Sequence, residues 1–179
     1  MKKIILALAL AASCTALPSW AKDVPPGHTS EVLVEEHNVP TTIADRIEHA
    51  LKSVLPGTKL PTPLVLAIMK IESGFNPKAK GGGGAAGLMQ VMPGVHLEKV
   101  RNISDKPNLT VNGAYRELLD VDVNVEAGVA ILADCYKKHN GDAGKAAECY
   151  NGYPRDGGYR NKVMRAYRDF SASLGFSPK

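Results

Sequence analysis

Apolar residues recur at helical intervals along most of the chain. Positions 43, 47, 50, 51, 54 and 55 share one helix face, which predicts a helix over 43–55 that Thr41 and Thr42 can cap and Pro56-Gly57 ends. Thr62 with Pro63 at the first helical position starts a second, more apolar helix over 62–75. The chain then turns at Gly74 and Pro77, crosses a loop of four glycines (Gly81 to Gly84), and is predicted to re-enter helix at Gly87. Farther on, 96–103 reads as a short helix, 104–112 as a loop and 115–119 as a helical turn. Val125, Gly128, Val129, Leu132 and Tyr136 restore the helical spacing over 124–139, and 142–150 forms the next helix. Gly157-Gly158 precedes a last one over 159–174, with Val163, Tyr167 and Phe170 on one face. No stretch alternates with period two, so the fold class expected is all-α.

The two ends of the pattern differ. Residues 1–21 read as a secretory signal: Lys2 and Lys3 lead a short apolar core, and Ser19-Trp-Ala21 supplies small residues at a cleavage site. The apolar run is too short for a stable membrane span. Ala11-Ala-Ser-Cys14 offers an alternative, lipoprotein cleavage with lipid on Cys14. Residues 22–40 hold three prolines, a glycine and mixed charge around one apolar cluster, Val32-Leu-Val34, and read as a linker or N-terminal arm. The folded domain is expected over 41–175.

Composition adds limits. With 44% hydrophobic and 22% charged residues, the chain is globular in character and long enough for one sizeable core. The formal charge is +4, of which Lys2 and Lys3 carry two, and no basic run tracks phosphates, so nucleic acid is not an expected partner. Beyond Cys14 only Cys135 and Cys149 remain, each seven residues from Asp142, facing one another across the predicted helical hairpin. In an oxidising compartment they are expected to form a disulfide, worth about 3 kcal/mol in the chain-entropy model. Two buried free thiols are the other reading.

Candidate chemistry gathers at the end of the second helix. Val65, Ile68 and Met69 share the side of the wheel on which Glu72 lies, while Lys70 falls elsewhere. A carboxylate on an apolar stripe is desolvated, which raises its pKa toward the range where it donates a proton at neutral pH. The plainer reading is a surface glutamate or one paired with lysine. The four glycines lack a Gly-Lys-Ser/Thr ending and a preceding strand, so they are not a P-loop; a loop that lets a ligand approach backbone fits better. The five histidines are scattered, the cysteine spacing matches no zinc site, and Ser73 has no nearby histidine or elbow motif, so neither metal nor triad chemistry is expected. Tyr150-Asn151-Gly152 reads as a helix C-terminus, with Tyr153 and Tyr159 crowding the same turn.

Glu72-Ser-Gly-Phe-Asn-Pro77, Gly87-Leu-Met-Gln-Val-Met-Pro93, Tyr150-Asn-Gly152 and Tyr159 together resemble the lytic transglycosylase family 1 domain of the soluble-lytic-transglycosylase type, over about residues 60–170. The resemblance implies a lysozyme-like helical fold and cleavage of the β-1,4 bond between N-acetylmuramic acid and N-acetylglucosamine in peptidoglycan glycan strands. It implies that Glu72 is the sole catalytic acid and base, forming a 1,6-anhydro ring without metal or cofactor. It places Ser73, Gly87, Leu88, Met89 and Gln90 along the sugar cleft. Tyr150 would lie close to Glu72 and help position it or the sugar ring, and Asn151 and Tyr159 would support that wall. One departure stands out: the family's usual sugar-contacting serine falls at Gly81. A two-carboxylate glycosidase needs a second acid flanking the bond, and the next acidic residue after Glu72 is Glu98. The resulting expectation is a periplasmic peptidoglycan lytic transglycosylase. The alternatives are a hydrolytic muramidase, or a non-catalytic wall-associated subunit of an envelope-spanning secretion or conjugation complex.

Overall fold

The computed structural model describes residues 28–152 and 157–176. The predicted signal peptide, Cys14 and Tyr153 lie outside the described residues. Eight α-helices appear among those described: α1 (His28–His37), α2 (Thr41–Val54), α3 (Thr62–Ser73), α4 (Leu97–Ile103), α5 (Val111–Glu117), α6 (Val121–Lys138), α7 (Ala143–Tyr150) and α8 (Gly158–Ser173). The all-α expectation holds.

Helix α3 runs through the core. Every residue from Pro63 to Met69 is buried, so this helix is apolar all round rather than amphipathic. Helix α8 packs along it, presenting Val163, Ala166 and Phe170, while α2 packs on α6 and α7 packs on both α6 and α8. Cys135 and Cys149 form the expected disulfide, S–S 2.05 Å with Cα atoms 5.7 Å apart, tying α6 to α7 one residue before Tyr150.

Three local expectations are corrected. The arm read over 22–40 is, from His28 onward, helix α1, and Leu33 is wholly buried with Val32 and Val39 against α2. The apolar cluster that looked isolated is the docking face of a helix too short to display a period. Threonines do not cap α2 or α3 from outside: Thr41 and Thr62 are the first helical residues, after Pro40 and Pro61, and neither start has a side-chain cap. Helix α6 starts at Val121, earlier than the apolar spacing indicated, because Asp120 accepts from the amides of Asp122 and Val123.

The largest correction concerns Gly87. The chain does not re-enter helix there. Residues 80–91 fold back on themselves through single bridges pairing Lys80 with Ala86 and Ala86 with Val91. Gly87 (φ 74°) and Gln90 (φ 49°) both sit in the left-handed region, which breaks helix at either end of Leu88-Met89.

Candidate active site

Glu72 occupies the last turn of α3, and the helix ends directly after it. Gly74 takes the left-handed conformation (φ 58°) that lets its amide bond back to the Lys70 carbonyl, 3.1 Å. Val65, Ile68 and Met69 beneath Glu72 are wholly buried, as the helical wheel requires. The carboxyl itself is partly buried, and that desolvation raises its pKa above the ordinary glutamate value of 4.5. Opposing this, the Tyr159 hydroxyl donates to Glu72 Oε1 at 2.6 Å, a bond that favours the ionised form. No lysine or arginine among the described residues pairs with Glu72; Lys70 instead lies 5.5 Å over the Phe170 ring.

The loop after α3 is built from backbone and held from three sides. The Ser73 hydroxyl donates to the Leu88 carbonyl, 2.7 Å, tying the loop to the turn that carries Glu72. The Tyr150 hydroxyl donates to the Met89 carbonyl, 2.8 Å. The Met89 amide donates to Asn124 Oδ1 on α6, 2.8 Å. Leu88 and Met89 are wholly buried, side chain and backbone alike, so they anchor the loop in the core and, contrary to the expectation, present no open surface to a cleft. Gly87 is required on two counts, its positive φ and the space around it. A Cβ there would lie 2.3 Å from both the Leu118 carbonyl oxygen and Asn124 Nδ2.

Gln90 closes the loop internally. Its Nε2 donates to the carbonyls of Gly87 (2.9 Å) and Ala79 (3.3 Å). Its Oε1 occupies the place a side chain at residue 81 would take: a Cβ on Gly81 would come within 2.0 Å of it. Glycine at 81 and the inward-turned Gln90 are therefore one arrangement, and a serine could enter only if Gln90 swung away.

The two tyrosines divide their work differently from the expectation. Tyr159, in the first turn of α8, makes the direct bond to Glu72, whereas Tyr150, at the end of α7, holds the loop. Tyr150 is still close to Glu72. Burial raises its pKa well above the usual tyrosine value, and the nearby carboxylate adds to the rise. Burial and the same carboxylate likewise raise Tyr159, so both phenols stay protonated as donors. Asn151 is exposed, has right-handed helical geometry (φ −72°) and makes no side-chain hydrogen bond to this site among the described residues. Gly152 (φ 86°) takes the left-handed turn.

Glu72, Ser73, Gly87, Leu88, Met89, Gln90, Tyr150 and Tyr159 thus come together around one helix end. Asn124 belongs with them and the sequence pattern passed over it. Its only signal was an amide on the apolar face of α6, between Val121 and Val125. A separate pocket of about 250 Å³ lies beside the Gly74–Pro77 turn, lined by His37, Asn38, Phe75 and Asn76 among others, and does not include Glu72. What the site offers chemically is one protonatable carboxyl in an apolar wall, oriented by a phenol and faced by a backbone loop.

Residues 56–168 match the family model described as the transglycosylase SLT domain. Curated relatives include the soluble lytic murein transglycosylase of Escherichia coli K12, 33% identical over 103 residues, which is 58% of this chain and 15% of that protein. Another is the membrane-bound lytic murein transglycosylase C of Photorhabdus laumondii, 40% identical over 73 residues, 39% of this chain and 19% of that one. The chain therefore spans less than a fifth of the length of these relatives. Among solved structures, the fold matches the 70 kDa soluble lytic transglycosylase of Escherichia coli at a TM-score of 0.64 and 20% identity, covering 83% of this chain and 30% of the other.

Proposed function

From a chain that belongs to the transglycosylase SLT domain family, we propose a lytic transglycosylase that cleaves the β-1,4 bond between N-acetylmuramic acid and N-acetylglucosamine, with Glu72 as its sole acid and base. The observation that carries the reading is the setting of Glu72. It is a partly buried carboxyl with a raised pKa, bonded by one phenol, with no cationic partner among the described residues. Relatives named for murein transglycosylation support the substrate class.

The steps balance around one proton. Protonated Glu72 donates to the glycosidic oxygen as the bond to C1 of the muramic residue breaks, releasing the other glycan piece with a new hydroxyl. The Glu72 carboxylate then takes the proton of the muramic 6-hydroxyl, whose oxygen bonds to C1 and closes a 1,6-anhydro ring. The carboxyl ends as it began, and no water is consumed. Burial makes the acid form available, and the Tyr159 hydroxyl stabilises the carboxylate formed between the two transfers.

The reading also places the reaction outside the cytoplasm, in the periplasm. The leader read over 1–21 and the Cys135–Cys149 disulfide support that location. Mass spectrometry of muropeptides released by the purified protein tests the function. The expected products end in anhydro-muramic acid, one water lighter than hydrolysis products. Reducing muramic ends would replace this reading with a hydrolytic muramidase, and no release at all would favour a non-catalytic wall-associated role.

A further inference from the structure

Asn124 is a buried polar group beside the site. It is 1% exposed, on a helix face otherwise made of Val121, Val125 and Gly128. A buried amide is costly unless its bonds are made. Here three are made, all to backbone and two of them to the loop opposite Glu72. Asn124 Oδ1 accepts from the Met89 amide at 2.8 Å, and Nδ2 donates to the carbonyls of Ala86 (2.8 Å) and Leu118 (2.7 Å).

The neighbouring sequence is cut to fit this contact. A Cβ on Gly87 would come within 2.3 Å of Asn124 Nδ2. One helical turn along α6, a Cβ on Gly128 would come within 2.3 Å of the Met89 sulfur. Asn124 and Gly128 thus form a socket, four residues apart on one face, that receives the loop at Gly87 and Met89. From those same residues the connection to the site is short. Leu88 is bonded by Ser73, the residue after Glu72, and Met89 by Tyr150, whose titration feels the Glu72 charge.

We propose that Asn124 is a positioning residue for the reaction: it fixes the 86–89 backbone, and through Ser73 and Tyr150 that backbone sets the wall against which Glu72 works. This rests on the function proposed above and extends it to a residue some 50 positions away along the chain. Without the amide, the Met89 N–H and two carbonyls lose their partners, the loop moves toward water, and Glu72 becomes better hydrated.

The test compares the wild type with Asn124→Leu, which keeps the volume and removes every bond. With soluble glycan fragments, kcat is expected to fall about 100-fold, the scale of a small misplacement at a reacting centre, while KM stays within about threefold. The limb on which activity falls as Glu72 loses its proton is expected to move to lower pH, which lowered stability alone would not cause. An unmoved limb, or kcat within about twofold of wild type in a folded variant, would overturn the proposal. The limb reports Glu72 whether the products carry anhydro or reducing ends. If the wild type cleaves nothing, the Glu72 carboxyl titration followed by NMR in the two proteins decides in the same way, a downward shift supporting the positioning role and no shift overturning it. If the variant does not fold, native hydrogen exchange decides. The Met89 amide is expected to exchange as slowly as the amides of α6, and rapid exchange would refute the anchor.

Discussion

The end of α3 and the loop over 80–91 face one another across the site, yet they are built in opposite ways. The helix end places its chemistry by local rules. An unbroken apolar run buries the helix from Pro63 to Met69, a left-handed glycine stops it, and the carboxyl on the last turn inherits a desolvated setting. The loop has almost no local rule to follow. Its shape is imposed from three helices: Ser73 and Tyr150 each take one backbone group, and Asn124 takes two. The reacting group therefore rides on a rigid element, and the surface opposite is held by long-range bonds to main chain. Changes at the helix end should alter chemistry, and changes in the loop should alter shape and stability first.

The largest effect expected from breaking this contrast is at Glu72. Glu72→Gln should lower the rate of glycan cleavage by about 10³-fold or more, near the upper range for loss of general acid–base catalysis, with the fold intact by circular dichroism. It should also change the pH dependence of stability. The folded carboxyl holds its proton more tightly than the unfolded one, so wild-type stability falls as pH rises from about the ordinary glutamate value of 4.5 through the folded value. Glutamine has no proton to lose, so melting curves of the variant should gain on the wild type across that window. Parallel curves would contradict the raised pKa.

On the loop side, Gly87→Ala should cost about 3 kcal/mol in denaturant unfolding, from strain at positive φ and collision with the Leu118 carbonyl. A loss under about 1 kcal/mol would mean the loop is more yielding than its bonds indicate.

Tyr159→Phe tests the contact between α8 and α3. Losing the hydroxyl removes the interaction that lowers the Glu72 pKa, so the limb set by Glu72 ionisation should move to higher pH, with kcat down about tenfold. Tyr150→Phe should not raise that limb, because its hydroxyl bonds the Met89 carbonyl instead, and loosening the loop there moves the limb toward lower pH. Equal shifts in the two variants would erase the division of roles between the tyrosines.

The smallest effect is expected at Gly81. Gly81→Ser displaces the end of the Gln90 side chain with its bonds to the Gly87 and Ala79 carbonyls, and crowds the Ala85 Cβ at 3.0 Å, so it should cost about 1 kcal/mol. A crystal structure of the variant should show Gln90 rotated outward, and an unmoved Gln90 would refute the link between the two positions.

What could be read in the sequence follows the same division. Glu72 was legible because desolvation of a helix-end carboxylate depends on residues three to seven positions away. The Cys135–Cys149 pairing was legible because helical spacing around one turn brings the two together. Helix α1 was not, since three adjacent apolar residues display no period. The loop at Gly87 was misread because Leu88, Met89, Val91 and Met92 resemble the apolar start of a helix. What prevents helix there is the left-handed geometry at Gly87 and Gln90, fixed by partners such as Asn124 far along the chain. The exchange of duties between Tyr150 and Tyr159 is likewise a matter of which ring the packing of α7 and α8 aims at the carboxyl.

The claim at the centre of this account is that the apolar end of α3 keeps Glu72 protonated beyond the ordinary glutamate range. Carbon-13 NMR titration of the Glu72 side-chain carboxyl in the wild-type protein measures this directly. The account expects a midpoint above 4.5, rising further in Tyr159→Phe. A midpoint at or below 4.5 would contradict it.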